Sequence, residues 1–565
     1  MTMTPEQEDE LLKNVPWDPG EPSPTYAPKP AKPKSPPPPD GKGADAKQAN
    51  KLVDLVLSDP EIELFHDEYA VSYAQLVIGD HKEIWPCGGS QFRRCMAKSF
   101  YDNYNKALSS NTISSGLNII EAEAKFNGDE YKLHNRVAEL EEAIYYDLAD
   151  KKWQAVKVTA EGWSVVSETP ILFKRYQHHA PQVQPVAGGQ VQDILRFINV
   201  TERDHQILVL VYLVSCFMPG FAHPIPYIYG QQGSAKSSFS KILRKLIDPS
   251  RLEVLSLPRK PEELTQVLAH HWFLFFDNVS YISHDTSDLL CRAVTGSGFS
   301  KRQLYTDDED IIYNIQPNIG INGINLASAA PDLLERSMLI ELKRVEVKDR
   351  KDERELWRGF EEGRPKILGA IFDAVAKTIA TRKTITLTSL PRMADFVLVG
   401  CAIAEAIGYT RDEFLQAYYH NINSQNEEVL AEHLEAMLVS ALLEGQNEWS
   451  GSPAQLLEVL RAIGKEQSID EKQLPKSANA LSRKLNILKT NLETAGIKLI
   501  KSKGTKRTIT LQRTAESVFV ANTDEAGQQS QGDTDDTKDA TNPLQWFDNI
   551  PETKAKDDKD GKDDV

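Results

Sequence analysis

Apolar residues recur along this chain in several distinct rhythms, and each rhythm predicts a different kind of element. Steps of three and four residues mark Lys51 to Leu57 and Gln91 to Ala107 as helices, and again Val191 to Val200, Ile367 to Ile379, Met393 to Ala406 and Val429 to Leu443. Between them lie short runs of aromatic and β-branched residues: Glu142 to Leu148, Trp153 to Val158, Trp163 to Ser167 and Ile171 to Arg175. Asp-Lys-Lys, Glu-Gly and Thr-Pro turns part these runs, so they predict a meander of strands. His205 to Met218 is almost continuously apolar, which predicts a helix buried against a sheet. Further on, Tyr227 to Tyr229 and Trp272 to Phe276 are short unbroken apolar runs of the kind that form buried parallel strands. Pro453 to Ile463, Ala478 to Ala495 and the pair Ile497 to Ile500 and Thr508 to Leu511 predict helix, helix and hairpin. The two ends, 1–49 and 515–565, have little to bury and are expected to be disordered.

Composition narrows the class. A chain of 565 residues with 40% hydrophobic and 26% charged residues is too long for one core, and no apolar run approaches the roughly 20 residues of a membrane span. The acidic start, Met1 to Glu10, is unlike a signal peptide, so a cytoplasmic protein without a membrane partner is expected. Five scattered cysteines form no C-x-x-C pair, which argues against a zinc ribbon or redox dithiol. The net charge of −17 argues against a uniformly basic coat for nucleic acid and leaves local basic surfaces open.

The chemistry concentrates where the run Tyr227 to Tyr229 gives way to Gly230-Gln-Gln-Gly233-Ser234-Ala235-Lys236-Ser237-Ser238 and then to an amphipathic stretch, Phe239 to Ile247. Strand, small-residue loop, Lys-Ser, helix is the order of a phosphate-binding loop. Loop N–H groups and the positive helix end would face a polyphosphate, Lys236 would reach the outer phosphates, and Ser237 would ligate Mg²⁺. Ala235 stands where the usual pattern has a third glycine. Downstream, His271-Trp-Phe-Leu-Phe-Phe ends in Asp277, a carboxylate placed to hold the same metal. A block from Ser287 to Asn314 includes Gly296, Gly298, Lys301 and Arg302; a short apolar strand ends in Asn322; and Arg336 sits between a helix end and a strand.

This order resembles the ATPase core of the superfamily-3 helicases, and within them the phage- and poxvirus-type primase-helicases and the related ATP-binding proteins of mobile elements. The resemblance is strongest from Pro224 to Leu342 and shows no primase motif. It implies an AAA+-type, three-layer α/β/α core that binds ATP and Mg²⁺. Lys236 and Ser237 would hold phosphates and metal, Asp277 the metal, and Asn322 would sense the γ-phosphate or its attacking water. Arg336 would reach into the next subunit of a ring, by this resemblance a hexamer, and Lys301 and Arg302 would lie on a pore hairpin touching DNA. Asn278 departs from the pattern, since many relatives have a second acid there; Asp285 or Asp288 is then a candidate to polarise water. Isolated, Arg336 could equally pair with Glu335 or Glu341 on the surface.

After the core, the helical rhythm predicts a bundle, and the closing hairpin carries Lys501-Ser-Lys503-Gly504-Thr-Lys506-Arg507. Helix, second helix and basic wing predict a winged helix that binds DNA through Lys484, Lys501, Lys503, Lys506 and Arg507. The predicted fold class is multidomain α/β: tail 1–49, α+β domain 50–185, P-loop core 186–345, helical bundle 346–446, winged helix 447–514 and acidic tail 515–565. The tails are candidate docking segments for a replication or single-strand-binding partner. The function expected is a ring-forming ATP-driven DNA helicase or translocase; the alternative is an ATP-switched DNA-binding initiator or regulator that does not unwind.

Overall fold

The computed structural model describes residues 43–296, 298–302, 310–314, 316–324, 331–346, 348, 350, 352–503 and 507–514. All of them belong to one compact unit, residues 1–519; the second, 520–565, and with it most of the acidic tail, lies outside the described residues, as does the Pro-rich stretch 1–42.

Order begins earlier than the apolar rhythm suggested. Helix α1, Gly43–Ser58, starts inside the segment expected to be disordered. The last proline is Pro39, and the alanine- and lysine-rich residues that follow favour a helix. Ala49, Leu52 and Val56 are buried, the last two in a small core with Phe92, Leu117 and Ile120. Strands β1 (Ile62–His66), β2 (Ser72–Ile78) and β3 (His81–Pro86) form an antiparallel sheet, to which β4 (Asp129–Glu130) adds a parallel edge. Helices α2 (Ser90–Tyr104) and α3 (Ser110–Asn127) precede that edge.

After the two-residue strand β5 (Leu133–His134), the meander has four antiparallel strands: β6 (Val137–Leu140), β7 (Ala143–Asp147), β8 (Ala155–Thr159) and β9 (Gly162–Val166). The run from Ile171 does not join it. Strand β10 (Leu172–Phe173) instead pairs in parallel with β5.

The central sheet is parallel and ordered β12–β15–β11–β16: β11 Ile225–Tyr229, β12 Phe273–Phe276, β15 Asn318–Asn322 and β16 Ser337–Glu341. Parallel strands covered on both faces are apolar without alternation, and β11, β12 and β15 have hardly an exposed residue. Gly320 allows β15 to pass β12, because a Cβ there would lie 2.3 Å from the Phe275 ring. All four strands run the same way, so the ends of β11, β12 and β15 deliver Gly230, Asp277 and Gly323 to one edge. Around the sheet come α4 (Arg203–Ser215), α5 (Lys236–Ile247), α6 (Pro261–His270), α7 (His284–Val294), the hairpin β13 (Gly298–Arg302) and β14 (Asp310–Asn314), and α8 (Pro331–Leu334).

Helix α4 is buried as its all-round apolar sequence requires, but its main neighbours are helices. It packs on α9 (Glu353–Thr381), α10 (Ala394–Ala406) and α11 (Arg411–Glu432) rather than chiefly on the sheet. A helix apolar on every face needs cover on every face, and these three supply it. The stretch Val191–Arg196 is a 3-10 turn, not an α-helix. The predicted helix Val429 to Leu443 breaks at His433, where α11 ends and α12 (Leu434–Glu444) begins.

The C-terminal part has strand β17 (Glu448–Gly451), helices α13 (Pro453–Glu466), α14 (Ala478–Ile487) and α15 (Lys489–Thr494), and strands β18 (Ile497–Lys503) and β19 (Arg507–Arg513). Its sheet order is β17–β19–β18. The single helix expected over Ala478 to Ala495 is two, hinged at the buried Leu488. One continuous apolar core runs from Val137 through the central sheet and helices to Leu511. Among the described residues no helix is long and apolar enough to cross a membrane.

Candidate functional site

The site grows from the turn between β11 and α5. Gly230 has φ 141° and no room for a side chain: a Cβ would lie 2.2 Å from the Leu342 carbonyl oxygen. Gly233 has φ 82°, and Ala235, the residue before the helix, sits in the left-handed region at φ 65°, ψ 29°. That conformation is why a glycine is usual at this place; alanine adopts it at a cost of about 1–2 kcal/mol. No side chain caps the first turn of α5, and no acid lies in it, so its N–H groups and positive dipole end remain available to an anion.

Lys236 folds back over the loop. Its Nζ donates to the Gly230 carbonyl (2.7 Å), the Gln231 carbonyl (3.0 Å) and Ser234 Oγ (3.3 Å). Burial lowers the ammonium below the ordinary lysine pKa, with the Asp277 charge pulling the other way. Ser237 Oγ lies 3.1 and 3.2 Å from the two oxygens of Asp277, whose own N–H is held by the Leu255 carbonyl at 2.9 Å. A hydroxyl and a carboxylate at this separation, open to solvent, form an oxygen donor pair that suits a hard cation such as Mg²⁺. Ser238 is in the first turn of α5.

Behind this pair runs a buried polar chain. Ser240 Oγ donates to the Lys236 carbonyl (3.1 Å) and accepts from Asn322 Nδ2 (2.7 Å), while Asn322 Oδ1 accepts the Asn278 N–H (2.8 Å). Asn322, only 1% exposed, thus ties α5 to the loop after β12. Asn278 has φ 56° and an exposed side chain. Asparagine tolerates the left-handed region better than most residues, which gives a backbone reason for its presence where a second acid was looked for. Of the acids considered in its stead, Asp285 and Asp288 both lie on α7, and Asp288 is 3.2 Å from His284.

Arg336 is not paired as a surface reading suggested. Its partner is Asp332, through both the carbonyl (3.0 Å) and the carboxylate (2.5 Å), and it is 15% exposed. Arg392 shares that carboxylate at 2.6 Å and also takes Glu335. Burial works to raise the Asp332 pKa, yet hydrogen bonds from Arg336, Cys291 and Arg392 hold it below the ordinary carboxylate value.

The basic residues read as DNA contacts divide. Lys301 and Arg302 lie on β13 opposite Ile311 and Asp310, with their side chains outside the described part. Lys484 is tied to the buried Glu435, and Lys501 donates to the Ser482 carbonyl (2.9 Å) and Asn486 Oδ1 (2.7 Å). Neither is a free surface cation: Lys484 compensates a carboxylate from α12, and Lys501 staples the wing to α14. Burial, then the charge of Lys489, lowers Lys501 below the usual lysine pKa. Arg507 is exposed opposite Lys503, whose side chain, like all of Lys506, lies outside the described part. Arg483 and Lys498 are exposed with no partner among the described residues.

Two contributors were missed by sequence reasoning. Asn199 donates through Nδ2 to both the Ser234 carbonyl (3.1 Å) and the Lys343 carbonyl (2.7 Å), and the Val345 N–H donates to the Gly233 carbonyl (3.2 Å). The chain leaving β16 is therefore strapped to the loop 230–237. An asparagine in an unmarked turn and a backbone amide leave no local pattern to find.

Residues 191–428 match the family model described as actinomycete integrative conjugative element replication protein, and residues 436–529 match the C-terminal domain of that replication protein. The first match spans the candidate site and the second the β17–β19 region. Among solved structures, the chain is similar to the A form apo structure of the NrS-1 C-terminal region, with TM-score 0.40 and 12% identity over 82% of this chain and 99% of that one. A second apo structure of that region gives TM-score 0.39 and 11% identity over 83% and 100%. No curated protein matches the chain.

Proposed function

We propose that this chain, similar over most of its described length to a conjugative-element replication protein, is an ATP-dependent DNA helicase or translocase that hydrolyses ATP with Mg²⁺ between the subunits of a ring. The observation that supports this best is the convergence at one sheet edge of Lys236, the Ser237–Asp277 pair at 3.1 Å and Asn322. The topology agrees with it, since β15, bearing Asn322, lies between the strand that ends at the loop and the strand that ends at Asp277.

The chemistry follows from these positions. Gly230, Gly233, Ser234, Ala235 and Ser238 shape a cradle of backbone N–H groups around a polyphosphate, and Lys236 exchanges the loop carbonyls for phosphate oxygens. Ser237 and Asp277 would hold the metal, which would supply positive charge against the phosphoryl oxygens. Asn322, fixed by Ser240, orients the water or the γ-phosphate beside Asn278. Arg336 serves a neighbouring subunit's nucleotide once it exchanges Asp332 for phosphate. The hairpin with Lys301 and Arg302 contacts the strand, while Arg507 and the other exposed cations of the wing hold duplex phosphates.

The second reading, an ATP-switched DNA-binding initiator or regulator, is favoured by Asn278, whose amide cannot act as the general base that a carboxylate supplies. DNA-stimulated ATP hydrolysis by the wild type and Lys236→Ala, followed by unwinding of a forked duplex, decides. Turnover lost in Lys236→Ala together with strand separation supports the motor; turnover without separation supports the switch; no turnover in the wild type refutes both motor steps. Mass photometry with and without ATP tests the ring.

A further inference from the structure

The strap that follows β16 has a role beyond closing the fold. Gly230 is pressed on the Leu342 carbonyl, Val345 bonds Gly233, and Asn199 clamps the carbonyls of Ser234 and Lys343 with a single amide. Three successive points of the phosphate loop are thus fixed to three points of the strap, so the two form one unit. The strap is also basic: Lys343, Arg344, Lys348 and Arg350 lie within it. Lys343 is taken by Glu202 and Lys348 by Glu346. Arg350 is exposed and has no partner among the described residues, and its Nη2 lies 4.0 Å from where a Gly233 Cβ would stand.

We propose that Arg350 is a further nucleotide-binding residue, a cis cation that closes over the phosphate loop onto the polyphosphate of the nucleotide bound there. A guanidinium with no partner among the described residues, held beside glycine backbone next to a helix N-terminus and Lys236, makes a cluster of positive charge whose matching ligand is a multiply charged anion. Gly233 has no side chain to screen the two from each other. The strap then enters α9, whose first turn is capped by Asp352, so engagement of Arg350 also sets the position at which the helical layer begins. This inference rests on the ATP-site reading but names a residue outside its loop, strand ends and Arg336.

The test uses the full-length chain and fluorescent N-methylanthraniloyl-ATP with Mg²⁺. Arg350→Ala is expected to weaken binding about 10- to 100-fold, the loss of a charged hydrogen bond of roughly 1.5–3 kcal/mol, with an unchanged melting temperature because the side chain is exposed. Arg350→Lys recovers part of the affinity, and Lys348→Ala stays within about twofold of wild type, because that charge is already met by Glu346. If the wild type binds, Lys236→Ala fails to bind and Arg350→Ala binds like wild type, the inference alone is overturned. If the wild type binds no nucleotide, the ATP-site reading falls and this inference with it.

Discussion

The two ends of helix α5 use the same residue types to opposite effect. At its C-terminal end Asp248 is wholly buried between Arg136 (2.8 Å) and Arg244 (2.9 Å), and it also accepts the Phe273 N–H at 3.2 Å. Arg244 in turn donates to His271 Nδ1 (2.7 Å), and Arg136 to the carbonyls of Asp147 and Pro249, both at 3.0 Å. Each charged group there meets a protein partner, though Arg244 Nε is buried without one among the described residues, and the network locks the meander, α5 and β12 together. At the N-terminal end, among the described residues, the Lys236 side chain holds loop carbonyls and a hydroxyl, and the Asp277 side chain holds Ser237. Those partners are loop carbonyls and hydroxyls, which the proposed function requires to give way to phosphate and metal. One end of the helix is spent on the fold, and the other is the end that the proposed function assigns to a ligand.

Removing one charge from each end breaks or sustains that contrast. Asp248→Ala leaves two buried guanidinium groups unpaired and is expected to cost about 3–5 kcal/mol in chemical denaturation. Lys236→Ala is expected to leave stability within about 0.5 kcal/mol while abolishing nucleotide binding. Equal losses of stability from the two variants would show that the ends do not differ as described.

Acid probes the locked end in a second way. His178 lies against His271 with the rings tilted and meets His179 edge-on, beside Asp248, Arg244 and Arg136. Burial lowers its pKa to about 4, with the two arginines also lowering it and Asp248 opposing. A base whose folded pKa is depressed takes its proton first in the unfolded chain. Its contribution is therefore fully present above pH 6.5 and is lost as pH falls from 6.5 through 4. A shift of that size corresponds to at most about 3–4 kcal/mol. Melting temperature should fall across this window, and His178→Phe should flatten the slope; an unchanged slope would remove the histidine from the account.

The contrast also separates what the sequence made legible from what it hid. The open end was legible because its residues are local or marked: Gly230 to Ser237 are contiguous, and Asp277 and Asn322 each end an apolar run. The locked end was hidden, since Arg136 and Asp248 are 112 positions apart and neither follows a rhythm. The same holds for Asn199, 144 positions from Lys343, and for β5 and β10, whose two-residue strands are too short to show a period. Strands β1, β2 and β3 were missed because partly exposed residues lie on both of their faces, which blurs alternation. Apolar periodicity reports which face is buried; it says nothing of which distant charge a buried charge will meet.

The wing repeats the comparison at smaller scale. Lys484 faces Glu435, whose side chain is 2% exposed, whereas Arg483 beside it is exposed and unpaired among the described residues. Lys484→Ala strands a buried carboxylate and is expected to cost about 1–3 kcal/mol of stability. Arg483→Ala is expected to leave stability alone and to reduce the salt dependence of DNA binding by about one charge, read as the slope of log affinity against log salt. The reverse assignment, with Lys484 setting the slope, would return it to the DNA surface.

The smallest effect concerns the open end itself. Ala235 has a left-handed backbone, φ 65°, that costs a non-glycine residue about 1–2 kcal/mol, while glycine gives up about 0.5–1 kcal/mol in chain entropy on folding. Ala235→Gly should therefore stabilise the chain by about 0.5–1 kcal/mol, and Ala235→Val, with its branched Cβ, should destabilise it. The gain should be local, appearing as slower amide exchange at 230–237 and not at Asp248, because the locked network does not depend on the loop's conformation. If exchange slows equally at both ends, the loop and the network are one cooperative unit. The strain at Ala235 would then be borne by the very charges that hold the back of the helix in place.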